Sequence, residues 1–348
     1  MVVSNANIAC AVFGASGYSG AELVRLLNQH PNFNVSAVFS SSAGSAKPLA
    51  ELYPQYQFPG HLILQPWHSD LLPQLVQQVR VVFLALPHEA STELVPELLA
   101  ANSELTIFDL SGAFRLQDET AHAQAYGFDQ PKLAQPVPYG LAEWCQLQGN
   151  EPVVAVPGCY PTVAALALKP LLPLLSEQST PIINAVSGVS GAGRKASLTT
   201  HFCEVSLQAY GVGTHRHTPE IAQSLQRPVV FTPHLGNFPR GIVATIYAQT
   251  NADVSLADIN HAYQQAYTDA PLVRLRNQPP AINDVANTPF CDIYAHLSGT
   301  QLILCAAIDN LLKGAAAQAV QLANLYFAKP ASRGLLPEPA PASGGQHE

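Results

Sequence analysis

The stretch that decides the fold is Ile8–Gly20, with the sequence IACAVFGASGYSG. The run up to Phe13 is apolar throughout, which predicts a strand buried on both faces. Glycines follow at positions 14, 17 and 20, and residues 21–29 then carry apolar side chains at helical spacing. A buried strand, a glycine-rich turn and a helix in this order predict the first βα unit of a parallel sheet covered by helices.

The glycine spacing, Gly-x-x-Gly-x-x-Gly, is a variant of the dinucleotide-binding fingerprint. Glycines let the backbone approach a pyrophosphate, and the following helix offers unpaired N–H groups at its N-terminus. Such glycines also serve ordinary strand–helix turns. The position directly after the first strand favours the dinucleotide interpretation.

The end of the second predicted strand, residues 34–39, indicates which dinucleotide binds. An NAD site usually has an acidic residue there, whereas this chain has Ser40, Ser41 and Ser42, with Lys47 beyond. Hydroxyl groups without a nearby carboxylate favour NADP. No tyrosine has a lysine four residues later, which argues against short-chain dehydrogenase chemistry.

The rest of the chain predicts two domains. Further buried strands are expected at 80–86, 106–110 and 153–156, with a helix at 89–101. After Cys159 the predicted strands, at 182–187, 229–232, 242–248 and 302–308, follow one another without clear crossover helices, which predicts a mixed sheet. Helices are expected at 161–175, 256–270 and 311–327, and the Pro/Gly/Ser-rich tail from residue 329 is expected to be disordered.

Composition excludes several classes of protein. The chain has 348 residues, with 16 Lys and Arg against 24 Asp and Glu, and its net charge is -8. This negative charge excludes general electrostatic binding of nucleic acid. No apolar run is long enough to span a membrane. The N-terminus has no secretory signal pattern, so we expect a cytoplasmic protein.

One of the six cysteines stands out. Cys159 lies in VPGCYPT, between a predicted strand and a helix whose first turn holds Pro161. A thiol at a helix N-terminus loses its proton more easily, which would make Cys159 a nucleophile. The other cysteines fit buried core positions, and none forms a CxxC pair of the kind that binds zinc.

Three polar clusters are candidates for the rest of the site. His215, Arg216 and His217 lie together in HRHTPE, where a proton-transfer role is favoured over metal binding because no third ligand cluster is apparent. A solvated surface loop is the alternative. The small-residue loop 187–195 could bring Arg194 or Lys195 near a phosphate. Arg115 follows a predicted parallel strand, at the edge where ligands bind, and is a candidate anion clamp.

Together these motifs resemble the N-acetyl-gamma-glutamyl-phosphate reductase family of arginine biosynthesis. The resemblance is carried by GASGYSGAEL, DLSGAFR, YGLAEW, VPGCYPT, SGVSGAGRK, GTHRHTPEI, TPHLGNFPRGI and DNLLKGAAAQAVQ, from Gly14 to about Gln321. The family is similar to aspartate-semialdehyde dehydrogenase in fold and chemistry. It implies an α/β protein with an NADP-binding Rossmann domain at 1–156, completed by a returning C-terminal helix at 311–328. An α+β catalytic and oligomerisation domain with a mixed sheet is implied at 157–310.

The resemblance also implies a reaction and roles for residues. NADPH would reduce an acyl phosphate, N-acetyl-L-glutamyl 5-phosphate, to the semialdehyde through a thioester on Cys159, with His217 preferred over His215 as the acid/base. The protein would be a homo-oligomer, a dimer or tetramer, without a metal. The predicted cofactor-binding residues are Gly14, Ser16, Gly17, Tyr18, Ser19, Gly20, Ser40, Ser41, Pro87, Ser190, Gly191 and Asn310. The predicted substrate-binding residues are Arg115, His215, Arg216 and Arg240, of which Arg216 or Arg240 would hold the substrate carboxylate.

Other functions stay open at this point. A reductase of the same fold could act on aspartyl phosphate or an aminoadipyl analogue, because the fold does not determine the substrate. A non-catalytic NADP sensor would use the same glycine loop without needing Cys159 or His217. A structural subunit would use the glycines only to turn the chain.

Overall fold

The N-terminal half of the chain forms a largely parallel sheet. The computed structural model describes residues 7–40 and 44–337. The sheet has the order β3-β4-β2-β1-β5-β6-β7, and only the pairing of β3 with β4 is antiparallel. Its strands are β1 (Ile8–Phe13), β2 (Phe33–Ser40), β3 (Lys47–Pro48), β4 (Ile63–Pro66), β5 (Val81–Leu84), β6 (Thr106–Asp109) and β7 (Val153–Ala155).

Helices cover both faces of this sheet, as the uninterrupted apolar strands predicted. The helices of this half are α1 (Tyr18–Asn28), α2 (Leu49–Leu52), α3 (Leu72–Gln78), α4 (His88–Ala101) and α5 (Glu119–Tyr126). Side chains of α1 and of the C-terminal helix α10 (Ala317–Tyr326) share one core with Cys10 and Val12 of β1. Side chains of α3 and α4 pack on the opposite face, around Ala11 and Phe13.

The second half forms a mixed seven-stranded sheet, which confirms the predicted fold class. Its order is β12-β13-β14-β11-β8-β10-β9, with parallel pairs β8/β10 and β12/β13 and antiparallel pairs elsewhere. The strands are β8 (Ile182–Gly188), β9 (Gln208–Ala209), β10 (Val230–Gly236), β11 (Ile242–Gln249), β12 (Val273–Leu275), β13 (Cys291–Ser298) and β14 (Gln301–Ile308). The helices are α6 (Cys159–Leu168), α7 (His217–Leu225), α8 (Leu256–Tyr267) and α9 (Ile282–Val285).

Among the described residues, helices cover one face of this second sheet. Helices α6, α7 and α8 bury it in a single apolar core. On the other face, Ile182, Val230 and Tyr247 are 43%, 51% and 42% exposed. The chain therefore presents an open apolar sheet face on the second domain.

Several boundaries differ from the sequence expectations for clear reasons. The helix expected at 161–175 ends at Leu168 and continues as a 3₁₀ segment, because Pro170 and Pro173 cannot donate backbone hydrogen bonds. The helix expected at 311–327 opens with a π-helical turn, Leu312–Ala316, before α10 begins. Strand β13 and helix α7 were not predicted.

The expected disordered tail is ordered at its beginning. Residues 329–337 form turns, and the carbonyl of Arg333 lies 2.9 Å from His30 Nε2 while its side chain donates to Asn32. The remaining tail positions, 338–348, lie outside the described residues. Within the described part of the chain, no helix has the length and apolar character needed to cross a membrane.

Candidate active site

Cys159 is the first residue of α6, after the short turn that follows β7, as predicted. It lines a cavity of about 260 Å³ between the N-terminal and the second domain. The walls of this reaction cavity include residues from both halves of the chain: Gly17, Tyr18, Ser19, Gly20, Ala85, Leu110, Arg115, Gly158, Ser190, Gly191, Gly193, Arg194, His217, Asn310, Leu311, Gly314 and Ala315. The structure therefore brings the glycine loop and the candidate nucleophile to one place.

The thiol of Cys159 is less acidic than the sequence predicted. Burial raises its pKa to about 11, although Arg115 and the backbone N–H groups of Tyr160 and Cys159 act in the opposite direction. Cys159 is half-buried, and the cost of placing a negative charge there outweighs the effect of the helix N-terminus. Cys159 is thus a protonated thiol at neutral pH, and it needs a base to become a nucleophile.

His217 is the first residue of α7 and is the candidate for that base. A Cβ atom built on Gly158 would lie 2.5 Å from His217 Nε2, so the imidazole packs against the backbone next to Cys159. Burial, followed by the neighbouring His215 and Arg115, holds the pKa of His217 well below its ordinary value. The ring is therefore neutral at pH 7 and can accept a proton.

His215 and Arg216 do not line the reaction cavity. The His215 ring contacts Tyr160, Tyr210, Phe231 and His217, and its Nδ1 accepts the backbone N–H of His217 at 3.1 Å. Burial and then Arg216 lower the pKa of His215 to about 4. The Arg216 guanidinium lies 5.7 Å from the ring centre of Tyr126. His215 thus packs against His217 and accepts its backbone N–H, outside the reaction cavity. This arrangement favours His217 over His215 as the acid/base.

Glu220 is a central site residue that sequence reasoning missed. Its side chain is fully buried, and Oε1 accepts the backbone N–H of Gly158 at 2.8 Å and the hydroxyl of Tyr139 at 2.9 Å. Its Oε2 lies 3.5 Å from Arg115 Nη1 and 4.0 Å from His217 Nε2. Its position three residues after His217 could have identified it, because residues at this spacing on a helix lie on one face.

Arg115 is held rigidly at the cavity wall, consistent with an anion clamp. Its Nε donates to the carbonyl of Val156 at 2.8 Å and its Nη2 to that of Leu110 at 2.6 Å. A Cβ atom built on Gly158 would lie 2.9 Å from Arg115 Nη1. The guanidinium therefore stands beside Cys159, where it can bind an anionic leaving group through charge-assisted hydrogen bonds.

The glycine loop has the shape that a pyrophosphate requires. Gly14 has a φ of +78°, and a Cβ there would lie 2.1 Å from the carbonyl oxygen of Ala85. A Cβ on Gly20 would lie 2.2 Å from the carbonyl oxygen of Gly14. No side chain caps the N-terminus of α1, so its first N–H groups face the reaction cavity and fit a dinucleotide phosphate.

The other predicted cofactor residues lie in different places. Ser40 ends β2 and lines a separate cavity of about 540 Å³, which also contains Trp67. Asn310 lines the reaction cavity, where its Nδ2 donates to Ser190 Oγ at 3.0 Å and its Oδ1 accepts the Gly241 N–H at 2.7 Å. Ser16 and Pro87 line neither cavity, and Ser41 lies outside the described residues.

Arg240, predicted as a possible ligand of the substrate carboxylate, instead pairs with carboxylates of the protein. Its Nε and Nη2 donate to the two carboxylate oxygens of Asp309 at 2.7 and 3.0 Å, and its Nη1 donates to Glu22 Oε1 at 2.7 Å. Glu22 belongs to α1 and Asp309 precedes Asn310 at the end of β14. Arg240 therefore joins the helix behind the glycine loop to the segment that carries Asn310, and its charge is already neutralised.

The π-helical turn supports Cys159 from the other side. A Cβ on Gly314 would lie 2.7 Å from the Cβ of Cys159, so only glycine allows this approach. The neighbouring Lys313 is fully buried and donates to Glu143 at 2.6 Å and to Gln318 and Gln321. Across the described residues, no group of three or more His, Cys, Asp or Glu side chains converges to hold a metal ion.

Comparison with known families agrees with both halves of the fold. The family profile described as "Semialdehyde dehydrogenase, NAD binding domain" matches residues 9–150, and that described as "Semialdehyde dehydrogenase, dimerisation domain" matches residues 159–310. Among solved structures, aspartate semialdehyde dehydrogenase II from Vibrio cholerae has a TM-score of 0.67 at 16% identity, covering 92% of this chain and 98% of that one. The Candida albicans aspartate semialdehyde dehydrogenase with NADP has a TM-score of 0.66 at 14% identity, covering 94% and 99%. These structures share the fold.

Curated relatives are much closer in sequence. The N-acetyl-gamma-glutamyl-phosphate reductase of Shigella flexneri is 52% identical over 324 residues, covering 91% of this chain and 96% of the relative. That of Yersinia pseudotuberculosis is 51% identical over 333 residues, covering 93% and 98%. The similarity extends across both domains.

Proposed function

This chain belongs to the N-acetyl-gamma-glutamyl-phosphate reductase family, and we infer that it catalyses the family's reaction in arginine biosynthesis. It reduces N-acetyl-L-glutamyl 5-phosphate with NADPH to N-acetyl-L-glutamate 5-semialdehyde, NADP and phosphate. The observation that carries this function is that Cys159 and His217 line one cavity with the glycine loop. We propose the division into a cofactor domain, 1–156 with 311–328, and a catalytic domain, 157–310, which the matched ranges 9–150 and 159–310 support.

Thioester formation begins with the transfer of the Cys159 proton to His217, whose lowered pKa leaves its ring free to accept it. The sulfur then forms a bond to the acyl carbon, and the bond between that carbon and the phosphate oxygen breaks. The departing phosphate carries the electron pair and takes one proton from solvent to become hydrogen phosphate, and Arg115 binds it. Glu220 stabilises the imidazolium and Arg115 at once, because it faces both cations.

Reduction of the thioester completes the reaction. Bound NADPH supplies a hydride to the thioester carbon, and the carbon–sulfur bond breaks with its electron pair returning to sulfur. The His217 imidazolium returns its proton to Cys159, which restores the resting pair. Asn310 is suited to line the nicotinamide position, because it faces the reaction cavity from the segment after β14.

The negative charge that develops on the substrate carbonyl oxygen can be stabilised by the backbone N–H groups at the beginning of α6. The Gly158 N–H donates to Glu220 Oε1 at 2.8 Å and is therefore already engaged. The N–H groups of Cys159 and Tyr160 lie beside the thiol at the positive end of the helix dipole. We therefore assign the oxyanion to these two amides.

A homo-oligomer completes the proposal. The open apolar sheet face at Ile182, Val230 and Tyr247 is the kind of surface that a second copy buries, and the second family profile describes a dimerisation domain. The six cysteines are all free thiols, which supports a reducing compartment such as the cytoplasm.

The decisive experiment is a spectrophotometric assay of NADPH oxidation with N-acetylglutamyl phosphate, alongside aspartyl phosphate and NADH. We expect turnover with the first substrate and NADPH. Cys159→Ser should bind NADPH with unchanged affinity and lose turnover, and labelled substrate should form a covalent adduct on wild-type protein alone. Full activity of Cys159→Ser, or preference for aspartyl phosphate, would refute the proposal.

A further inference from the structure

A second cavity of about 470 Å³ opens directly beside the reaction cavity. The two cavities share the residues Tyr18, Ser190, Gly193, Arg194 and Leu311. We call this second space the outer cavity; it is further lined by Tyr53, Tyr56, Lys195 and Arg240. A molecule attached to Cys159 can therefore extend into the outer cavity without leaving the protein.

The cofactor does not need this space. Ser40, at the end of β2, lines a different cavity of about 540 Å³, and the N-terminus of α1 faces the reaction cavity. The backbone N–H of Ala15 donates to the carbonyl of Phe39 at 2.9 Å, so the glycine loop and the end of β2 are adjacent. A dinucleotide lying along this edge occupies those two cavities and leaves the outer cavity for the substrate.

The outer cavity has a cation that is available to a ligand. Arg240 is neutralised by Glu22 and Asp309. Arg194 is exposed and has no ion-pair partner among the described residues; its guanidinium lies 5.7 Å from the ring centre of Tyr53. Gly193, with a φ of +83°, makes the turn that carries Arg194 from the end of β8 toward the N-terminal domain.

The reaction cavity thus has a buried arginine, Arg115, and a second arginine, Arg194, at its boundary with the outer cavity. N-acetylglutamyl phosphate also has two anionic ends, a phosphate and an α-carboxylate, on either side of the reacting carbon chain. We propose that the outer cavity binds the N-acetylamino-acid end of the substrate, with Arg194 pairing with its α-carboxylate. This assignment rests on the proposed function and replaces Arg216 and Arg240 as the carboxylate-binding residue.

The pairing makes Arg194 a specificity-determining residue. A guanidinium and a carboxylate form two parallel charge-assisted hydrogen bonds, which an uncharged analogue cannot make. An acyl phosphate or aldehyde without the α-carboxylate can still reach Cys159, but it has no partner for Arg194. The enzyme then selects its substrate at the end remote from the chemistry.

The test combines a variant with a truncated substrate in the oxidative direction, with NADP and phosphate. The aldehydes are N-acetylglutamate 5-semialdehyde and 4-acetamidobutanal, which differ only in the α-carboxylate. Arg194→Met should lower kcat/KM for the first aldehyde about 10- to 100-fold, mainly through KM, and change the second less than about threefold. Arg194→Lys should recover part of the loss.

Arg216→Met in the same cycle tests the alternative. Equal losses for both aldehydes in Arg194→Met, or a carboxylate-dependent loss in Arg216→Met only, would overturn the assignment. A loss of NADPH affinity as large as the loss in kcat/KM would also overturn it, because Arg194 would then hold the cofactor. The wild-type protein should turn over N-acetylglutamate 5-semialdehyde. If it does not, the proposed function itself fails; if it does, the outcomes above test only the role of Arg194.

Discussion

Glu220 accepts the backbone N–H of Gly158 at 2.8 Å, across 62 residues of sequence. This one bond ties α7, which begins with His217, to the turn that carries Cys159. The same carboxylate faces Arg115 and His217, so it holds the proposed anion clamp and the proposed acid/base together. The relationship explains why two loops from distant parts of the chain form one rigid site.

Replacing this carboxylate should damage catalysis more than binding. In Glu220→Gln, the amide N–H₂ would face Arg115 or Gly158, and the positive charges of Arg115 and the imidazolium would lose their counterion. We expect kcat to fall about 100-fold or more, because a misplaced or less basic His217 delays both thiol activation and proton return. Steady-state kinetics with saturating NADPH measure this. Glu119→Gln, which removes an exposed pair with Lys132, is the matched control and should leave kcat unchanged.

The raised pKa of Cys159, about 11, predicts how the thiol reacts with iodoacetamide. Only the thiolate reacts, so the alkylation rate should rise about tenfold per pH unit from pH 7 to 10 without a plateau. Arg115 lowers this pKa, so Arg115→Met should raise it and react more slowly at every pH in that range. The Cys159→Ser protein supplies the background rate of the other cysteines. A plateau below pH 8 would mean that the helix N-terminus outweighs burial.

Gly158 leaves room for two site residues, so a methyl group there should be inhibitory. In Gly158→Ala the new Cβ would lie 2.5 Å from His217 Nε2 and 2.9 Å from Arg115 Nη1. Both side chains must shift, and a displacement of this size at a reacting centre costs about 100-fold in kcat. Gly60→Ala, whose Cβ meets nothing within 4 Å, should behave as wild type. Normal turnover by Gly158→Ala would show that His217 is not held against this backbone.

Arg240 should contribute to stability by joining the two domains. In Arg240→Gln the buried carboxylates of Glu22 and Asp309 lose their common partner, while Glu22 keeps Arg25 at 2.7 Å, which should cost about 1.5–3 kcal/mol in the free energy of unfolding. Arg276→Gln is the control, because Asp292 keeps its closer partner Arg274 at 2.6 Å. Urea unfolding of each variant measures the difference.

The same variant has a defined pH dependence. Burial acts to raise the pKa of Glu22, but Arg25 and Arg240 outweigh it and hold the pKa below its ordinary value. A lowered pKa in the folded state adds stability above the unfolded value of about 4.3, and this stability is lost as the pH falls through the folded value. The advantage of wild type over Arg240→Gln should therefore be full above about pH 5 and shrink below pH 4. An advantage independent of pH would exclude Glu22 as the partner that matters.

Much of the fold followed from local patterns in the sequence. The first strand, the glycine loop and α1 were predicted within a few residues. An apolar run followed by Gly14, Gly17 and Gly20 is compatible with few other local structures. Strand β13, with the sequence CDIYAHLS, was not predicted, although its apolar residues Cys291, Ile293, Ala295 and Leu297 alternate with more polar ones, as in a strand with one buried face. Its place between β12 and β14 follows from pairing across the sheet, which no local pattern specifies.

The candidate site was predicted in part. Cys159 and His217 were recognised from their motifs, and the structure brings both to the reaction cavity. Arg240 was expected to meet a substrate carboxylate, but it binds Glu22, which lies 218 residues away in the sequence. Glu220 was not singled out, because helix α7 was not predicted and the helix face that Glu220 shares with His217 was therefore not apparent.

The sequence alone determined the elements that depend on neighbouring residues: the buried strands, the glycine turn, and the position of Cys159 at the beginning of α6. The tertiary structure alone decided the electrostatics of the site, because burial and charge pairing are set by groups far apart in the chain. Burial raises the pKa of Cys159 to about 11, against the direction that its helix position implied, and the proposed mechanism therefore requires His217 as a base. A desolvation cost is the sum over all surrounding atoms, and only the folded chain brings those atoms together.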